Sequence, residues 1–115
     1  MKYLLMIYAN EAAEAAATEA DNAALMAAYG AYAGAMAQAG VMVGGERLHP
    51  SEMATSVRIK GGKTEVLNGP YADTHEQLGG YFMIDVPDLD AALHWAARCP
   101  SASQGTIELR PVWAM

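Results

Sequence analysis

Much that would narrow a function at once is scarce in this sequence. It has one cysteine, Cys99, one phenylalanine, and aromatic residues at only 8% of 115 positions. Without a second thiol no disulfide framework forms within the chain, and a reducing, cytosolic setting is expected. Cations are few: seven Lys and Arg stand against 13 Asp and Glu, for a formal charge of −6. That balance leaves no basic footprint for a phosphate backbone and argues against nucleic acid as a partner. Long hydrophobic runs are missing as well. Nothing approaches the roughly 20 apolar residues that cross a bilayer. The apolar stretch Tyr3 to Ala9 stops at Asn10-Glu11, too short for a signal-peptide core with its cleavage region. No His-x-His, no Glu-x-x-His on a helical stretch and no cysteine pair occurs, so no metal is expected, and no cofactor motif stands out. The expectation is a soluble, cytoplasmic protein without a membrane partner.

What is present is apolar. At 53% hydrophobic residues and modest net charge the chain is expected to fold, as one domain over residues 1–115. Lys2 to Tyr8 is apolar on both alternating sets, Tyr3, Leu5 and Ile7 against Leu4, Met6 and Tyr8, which predicts a strand covered on both faces. Residues 9–20 are rich in Ala and Glu and predict a helical turn or a fraying segment. Asp21 or Asn22 offers a cap for a helix that runs to Gly40, with Leu25, Tyr29, Tyr32 and Met36 on one face. Val41 to Leu48 predicts a strand weakened by Gly44-Gly45. Thr55 to Lys60 and Thr64 to Leu67 predict a hairpin turning at Gly61-Gly62. Leu78 to Val86 predicts a further strand, with Leu78, Phe82, Ile84 and Val86 on one face and Tyr81 and Met83 on the other. Asp88 caps a second helix to about Cys99, with Leu89, Ala92, Leu93 and Ala96 inward, and Gly105 to Val112 closes the order with a strand.

Strand, helix, strand, hairpin, strand, helix, strand gives two β-α-β halves, hence an α+β ferredoxin-like sandwich. Two helices cover one face of such a sheet. The strands at 3–8 and 78–86 are apolar on both faces, so a second subunit is expected on the other, and a homodimer by sheet-on-sheet contact follows.

The segment Asn68-Gly69-Pro70-Tyr71-Ala72-Asp73-Thr74-His75-Glu76-Gln77-Leu78-Gly79-Gly80-Tyr81 resembles the DGPF signature of the YCII-related proteins. Lys2 to Tyr8, Gly44-Gly45-Glu46-Arg47-Leu48 and Gly105 to Val112 extend the resemblance over essentially the whole chain. It implies a dimeric α/β barrel. It also implies chemistry of the kind found among relatives: an active-site His–Asp pair, a dehydrochlorinase of aromatic degradation, and muconolactone isomerase-like enzymes. The DGPF branch further suggests an accessory role beside extracytoplasmic-function sigma factors, as a non-catalytic ligand-binding or signalling protein. Two departures stand out. The first helix holds no histidine, so the His–Asp pair does not transfer, and Asn68 and Tyr71 replace the signature's Asp and Phe. Asn68 disables an acid or base at that position but serves a turn equally well.

Among candidate residues, His49 lies at a strand end, where loops supply site residues, and a neutral imidazole there can take a proton from a small acidic molecule, with Glu46 or Glu52 to orient it. An exposed loop histidine is the alternative. His75 suggests a rim role and His94 a surface one. Arg58, Glu108 and Arg110 alternate with apolar residues and are expected opposite the helices, near Tyr8 and Tyr81. There Arg58 or Arg110 either binds a carboxylate while the tyrosines flank a ring, or pairs with Glu108 across the dimer. Asn68 and Tyr71 complete the binding candidates. The functional expectation is proton-transfer, isomerase or lyase-type chemistry on a small carboxylated or aromatic molecule, with catalysis itself left open.

Overall fold

β1 (Lys2–Ala9) is the strand around which the fold is built. The computed structural model describes residues 1–115 and adds, in chain order, α1 (Glu11–Ala15), α2 (Glu19–Gln38), β2 (Met42–Arg47), β3 (Thr55–Lys60), β4 (Lys63–Asn68), β5 (Gln77–Asp85), α3 (Leu89–Arg98) and β6 (Thr106–Pro111). Short 3-10 turns at Ser51–Met53 and Pro100–Ser103 join them. Four strands form one antiparallel sheet in the order β2-β5-β1-β6. This is an α+β fold, and its strand order with a helix between β1 and β2 and between β5 and β6 is consistent with a ferredoxin-like sandwich. No helix is long and apolar enough to cross a membrane.

The two alternating sets of β1 go to different surroundings. Tyr3, Leu5 and Ile7 are buried under the helices with Ile84, Tyr32, Met36, Ala92 and Trp95. Leu4, Met6 and Tyr8 lie on the other face and are only half-buried. Register fixes their neighbours there: Leu4 stands between Met83 and Arg110, and Met6 between Tyr81 and Glu108, with Glu46 beyond Tyr81. A bulge at Gly79 shifts the pairing so that Leu78 lies opposite Tyr8. Leu78 therefore leaves the face of Phe82 and Ile84 to which alternation assigned it, because one extra residue inverts the side-chain order.

Local signals explain the helix boundaries. Residues 9–20 split in two: Asn10 Oδ1 accepts from the Ala13 amide to cap α1, and Thr18 caps α2. Asp21 is thus not the cap but its partner, accepting from the Thr18 amide while Thr18 Oγ1 accepts from the Asp21 amide, the reciprocal capping box. At the far end Gly40 takes φ +72°, its amide bonding Ala37 and the Val41 amide bonding Met36, the Schellman ending that favours glycine. In α3 the buried face is Ala92, Trp95 and Ala96, while Leu89 and Leu93 stand about half exposed. The large indole takes the place expected for the leucines.

The hairpin β3–β4 is a second sheet of its own. Arg58 consequently does not share the open face of the main sheet with Glu108 and Arg110, as strand alternation alone suggested.

Candidate functional site

Tyr8 marks the end of β1 where the sheet gives way to loops, and a cleft of about 540 Å³ opens there. Its walls come from three stretches: Leu48, His49, Pro50, Ser51 and Met53 after β2; Pro70, Ala72 and Thr74 after β4; and Gln77 and Leu78 at the start of β5. Most of the lining surface is apolar, and His49, Tyr8, Ser51, Thr74 and Gln77 bring the polar groups.

The loop carrying His49 is held at a defined place by α1. Glu11, at the first position of that helix, accepts the Ser51 amide on Oε1 at 2.7 Å and the Ser51 hydroxyl on Oε2 at 2.6 Å. Its own amide donates to Gln77 Oε1 at 3.0 Å. Gln77 Nε2 in turn donates to the Thr74 carbonyl at 2.6 Å, tying the loop after β4 to the same point. Glu11 and Gln77 thus fasten both loop walls to the start of α1, and rigid support of this kind is what a binding cleft needs. Neither residue was singled out from the sequence. Glu11 lies 40 residues from Ser51 and 66 from Gln77, and no local pattern announces such a contact. The one hint was a carboxylate directly after Asn10, a helix cap.

His49 is exposed and lies between two depressions. Besides the cleft it borders a smaller one, of about 440 Å³, whose lining includes Glu11, Glu14 and Glu52. Glu52 shares a wall with it, as the sequence allowed. Glu46 does not line either depression: it stands on the open sheet face opposite Tyr81, in the row Glu108, Met6, Tyr81, Glu46. Tyr8 belongs to the next row of that face and lines the cleft, whereas Tyr81 does not. Arg110 stands farther along, beside Leu4 on the edge strand β6, and is exposed.

The remaining candidates lie away from the cleft. Arg58 is on the hairpin and pairs with Glu65 across the strands, Nε to Oε2 at 3.1 Å, both side chains about half exposed or more. A pair so exposed contributes little stability. Asn68 ends β4 opposite Thr55. Gly69 follows at φ +121°, and its amide bonds the Ala54 carbonyl at 2.7 Å to close the hairpin base. Tyr71 is 83% exposed and does not line the cleft; its neighbours Pro70 and Ala72 do. His75 and His94 are exposed, and Cys99 is buried against Tyr29. No three His, Cys, Asp or Glu side chains converge closely enough to hold a metal ion.

Gly80, just after the bulge, admits backbone. A Cβ on Gly80 would stand 2.8 Å from the Glu46 carbonyl oxygen, so β2 and β5 meet at van der Waals contact only because Gly80 has none.

The sequence matches the YCII-related domain over residues 1–115. It is similar to an uncharacterized protein of Rhizobium meliloti (strain 1021), 33% identical over 114 residues, which cover 97% of this chain and 92% of the relative. With a family match from end to end, the chain belongs to the YCII-related family.

Proposed function

We propose that the protein binds a small carboxylated or aromatic molecule in the cleft beside Tyr8 and performs proton-transfer chemistry on it, of isomerase or lyase type, with His49 as the base. The observation that carries this reading is the placement of an unpaired imidazole on a wall fastened by the Glu11–Ser51 hydrogen bonds, facing an apolar cleft of about 540 Å³. Clefts of that size hold molecules of the ligand class, and a few fixed polar groups in an apolar lining set orientation. A neutral imidazole accepts a proton near pH 7 and returns it at a second atom, which is the sequence of events in an isomerisation or elimination. Tyr8 offers a ring face for an aromatic substrate and a hydroxyl for its carboxylate. The glycine-proline loop after Asn68, which resembles the DGPF signature, contributes Pro70 and Ala72 to the wall.

The same reading has the protein act as a homodimer. Leu4, Met6, Tyr81 and Met83 form a half-exposed apolar surface on the face the helices leave open. Packing that surface on its two-fold copy closes a barrel, with the cleft at its mouth.

A thermal-shift screen of small aromatic acids, lactones and phenols near neutral pH tests the binding. A ligand at a hundred times its Kd adds about 2.7 kcal/mol, a rise of several degrees for a domain of this size. The shift is expected to shrink in Glu11→Ala, which frees the His49 loop. Turnover of any hit is expected to disappear in His49→Ala while the ligand still binds. Full turnover without His49 would remove it as the base, and no shift with any compound would remove the cleft as a binding site.

A further inference from the structure

No Lys, Arg, Asp or Glu lines the cleft beside Tyr8. The nearest cation in sequence, Arg47, turns away, its guanidinium donating to Met26 Sδ on α2 at 3.5 Å. Arg58 is held by Glu65 on the hairpin, and Arg110 stands beside Leu4 on the edge strand β6. Carboxylates are closer. The smaller depression on the other side of His49 carries Glu11, Glu14 and Glu52. A carboxylate entering the cleft would leave water with no fixed cation to meet it, near three groups of its own sign and in a chain of net −6. Its one available partner is a protonated His49, and that pairing removes the base.

Most polar side chains on the lining are already engaged. Ser51 gives its amide and its hydroxyl to Glu11. Thr74 Oγ1 donates to the Glu76 carbonyl. Gln77 accepts from the Glu11 amide and donates to the Thr74 and His75 carbonyls. The Tyr8 hydroxyl and the His49 imidazole remain, without a partner in the chain, on a lining that is otherwise mostly apolar. One neutral donor and one base suit a ligand with an acceptor oxygen and a removable proton. A single neutral hydroxyl does not match a full negative charge.

We infer that the substrate is an uncharged, enolisable carbonyl compound, and that Tyr8 is a second catalytic residue, donating to its carbonyl oxygen. This rests on the cleft being the binding site, as proposed above, and narrows the class named there to molecules without a carboxylate. His49 takes a hydrogen as a proton from the carbon next to the carbonyl, and the C–H electron pair becomes the C=C bond of an enolate. The carbonyl π pair moves onto oxygen, where the Tyr8 hydroxyl hydrogen-bonds to the growing negative charge. His49 then returns the proton to the same carbon or to a conjugated one. The first outcome is exchange and the second isomerisation, and neither needs a co-reactant.

Two probes of one skeleton test this: phenylacetone, an uncharged ketone, and phenylacetate, its carboxylate counterpart. NMR titration of the full chain near neutral pH gives both dissociation constants. The His49 imidazole resonances, assigned by their loss in His49→Ala, report whether each probe reaches the cleft. Phenylacetone is expected to bind about tenfold more tightly than phenylacetate or better. In D2O its hydrogens next to the carbonyl are expected to exchange faster with the protein than without it. Tyr8→Phe keeps the ring, so phenylacetone is expected still to bind while exchange slows by about tenfold or more. Phenylacetate that moves the His49 resonances and binds as tightly as phenylacetone would overturn the uncharged class while leaving the cleft as the binding site. Exchange that is absent, or the same in Tyr8→Phe, would overturn the role of Tyr8. If neither probe moves the His49 resonances, the cleft falls as a binding site and this inference falls with it.

Discussion

At the scale of single residues, the positions that matter most are those where backbone passes close to backbone. Gly105 precedes β6 at a point where a Cβ would land on the Tyr8 carbonyl oxygen. Gly105→Ala is therefore expected to cost about 2–4 kcal/mol, in the range of a forced rearrangement within packed structure, and to disturb the end of β1 that lines the cleft. Chemical denaturation reads the first effect and ligand binding the second. Gly61→Ala would be milder, since only its φ of +57° and no neighbour opposes the methyl group. Tyr29 and Tyr32 bear on pH. Burial raises the pKa of both phenols far above the ordinary value of 10. A raised folded-state pKa means that the unfolded chain ionises first, so the stability these phenols contribute is intact below pH 10 and declines as the pH climbs beyond it. Of the six tyrosines, two are thus expected to ionise only on unfolding, followed by absorbance of the phenolate during an alkaline titration. Six tyrosines titrating together around pH 10 with the fold intact would contradict this.

At the scale of elements, periodicity located the helices and strands but chose some faces wrongly. The last helix, α3, shows why. Its leucines are the more hydrophobic choice for the core, yet Ala92, Trp95 and Ala96 are buried and Leu89 and Leu93 are about half exposed. Burying the indole against Tyr32, with the Arg98 guanidinium 4.5 Å from its ring centre, removes more apolar area than either leucine would. Trp95→Ala is expected to cost about 3–5 kcal/mol, whereas Leu93→Ala stays near zero in the isolated chain. Urea midpoints for the two variants check the assignment, and equal losses would restore Leu93 to the core. The bulge at Gly79 has the same lesson for strands. A single unpaired residue moved Leu78 from the core face to the cleft, beside Tyr8, and so added an apolar wall to the site.

At the scale of the whole molecule, the chain is flat. It measures 48 × 43 × 19 Å with a radius of gyration of 16.0 Å, against about 13 Å for an ordinary domain of this length. Only 12 of 115 residues are buried, because one sheet face and the hairpin arm remain open. A single chain so thin has little core to spare, and association with a second copy would supply the missing burial. Its melting temperature is accordingly expected to rise with protein concentration over a hundredfold series, as it does when only the folded state associates. A melting temperature independent of concentration would place the full stability in the single chain.

The sequence by itself determined the element order and the α+β class that follows from it, since both rest on near-neighbour periodicity or on end signals such as Gly40 and Asp88. It also placed His49 at a strand end among loops. Only the tertiary structure decided what His49 stands with. The Glu11 carboxylate, the Ser51 amide and hydroxyl and Gln77 meet across 40 to 66 residues of chain, and a contact at such separation leaves no trace in local pattern. The same holds for Arg58, whose strand alternates as cleanly as any strand of the main sheet. Whether a strand joins that sheet or stands apart as an arm depends on which backbone groups find partners, and alternation is the same in both.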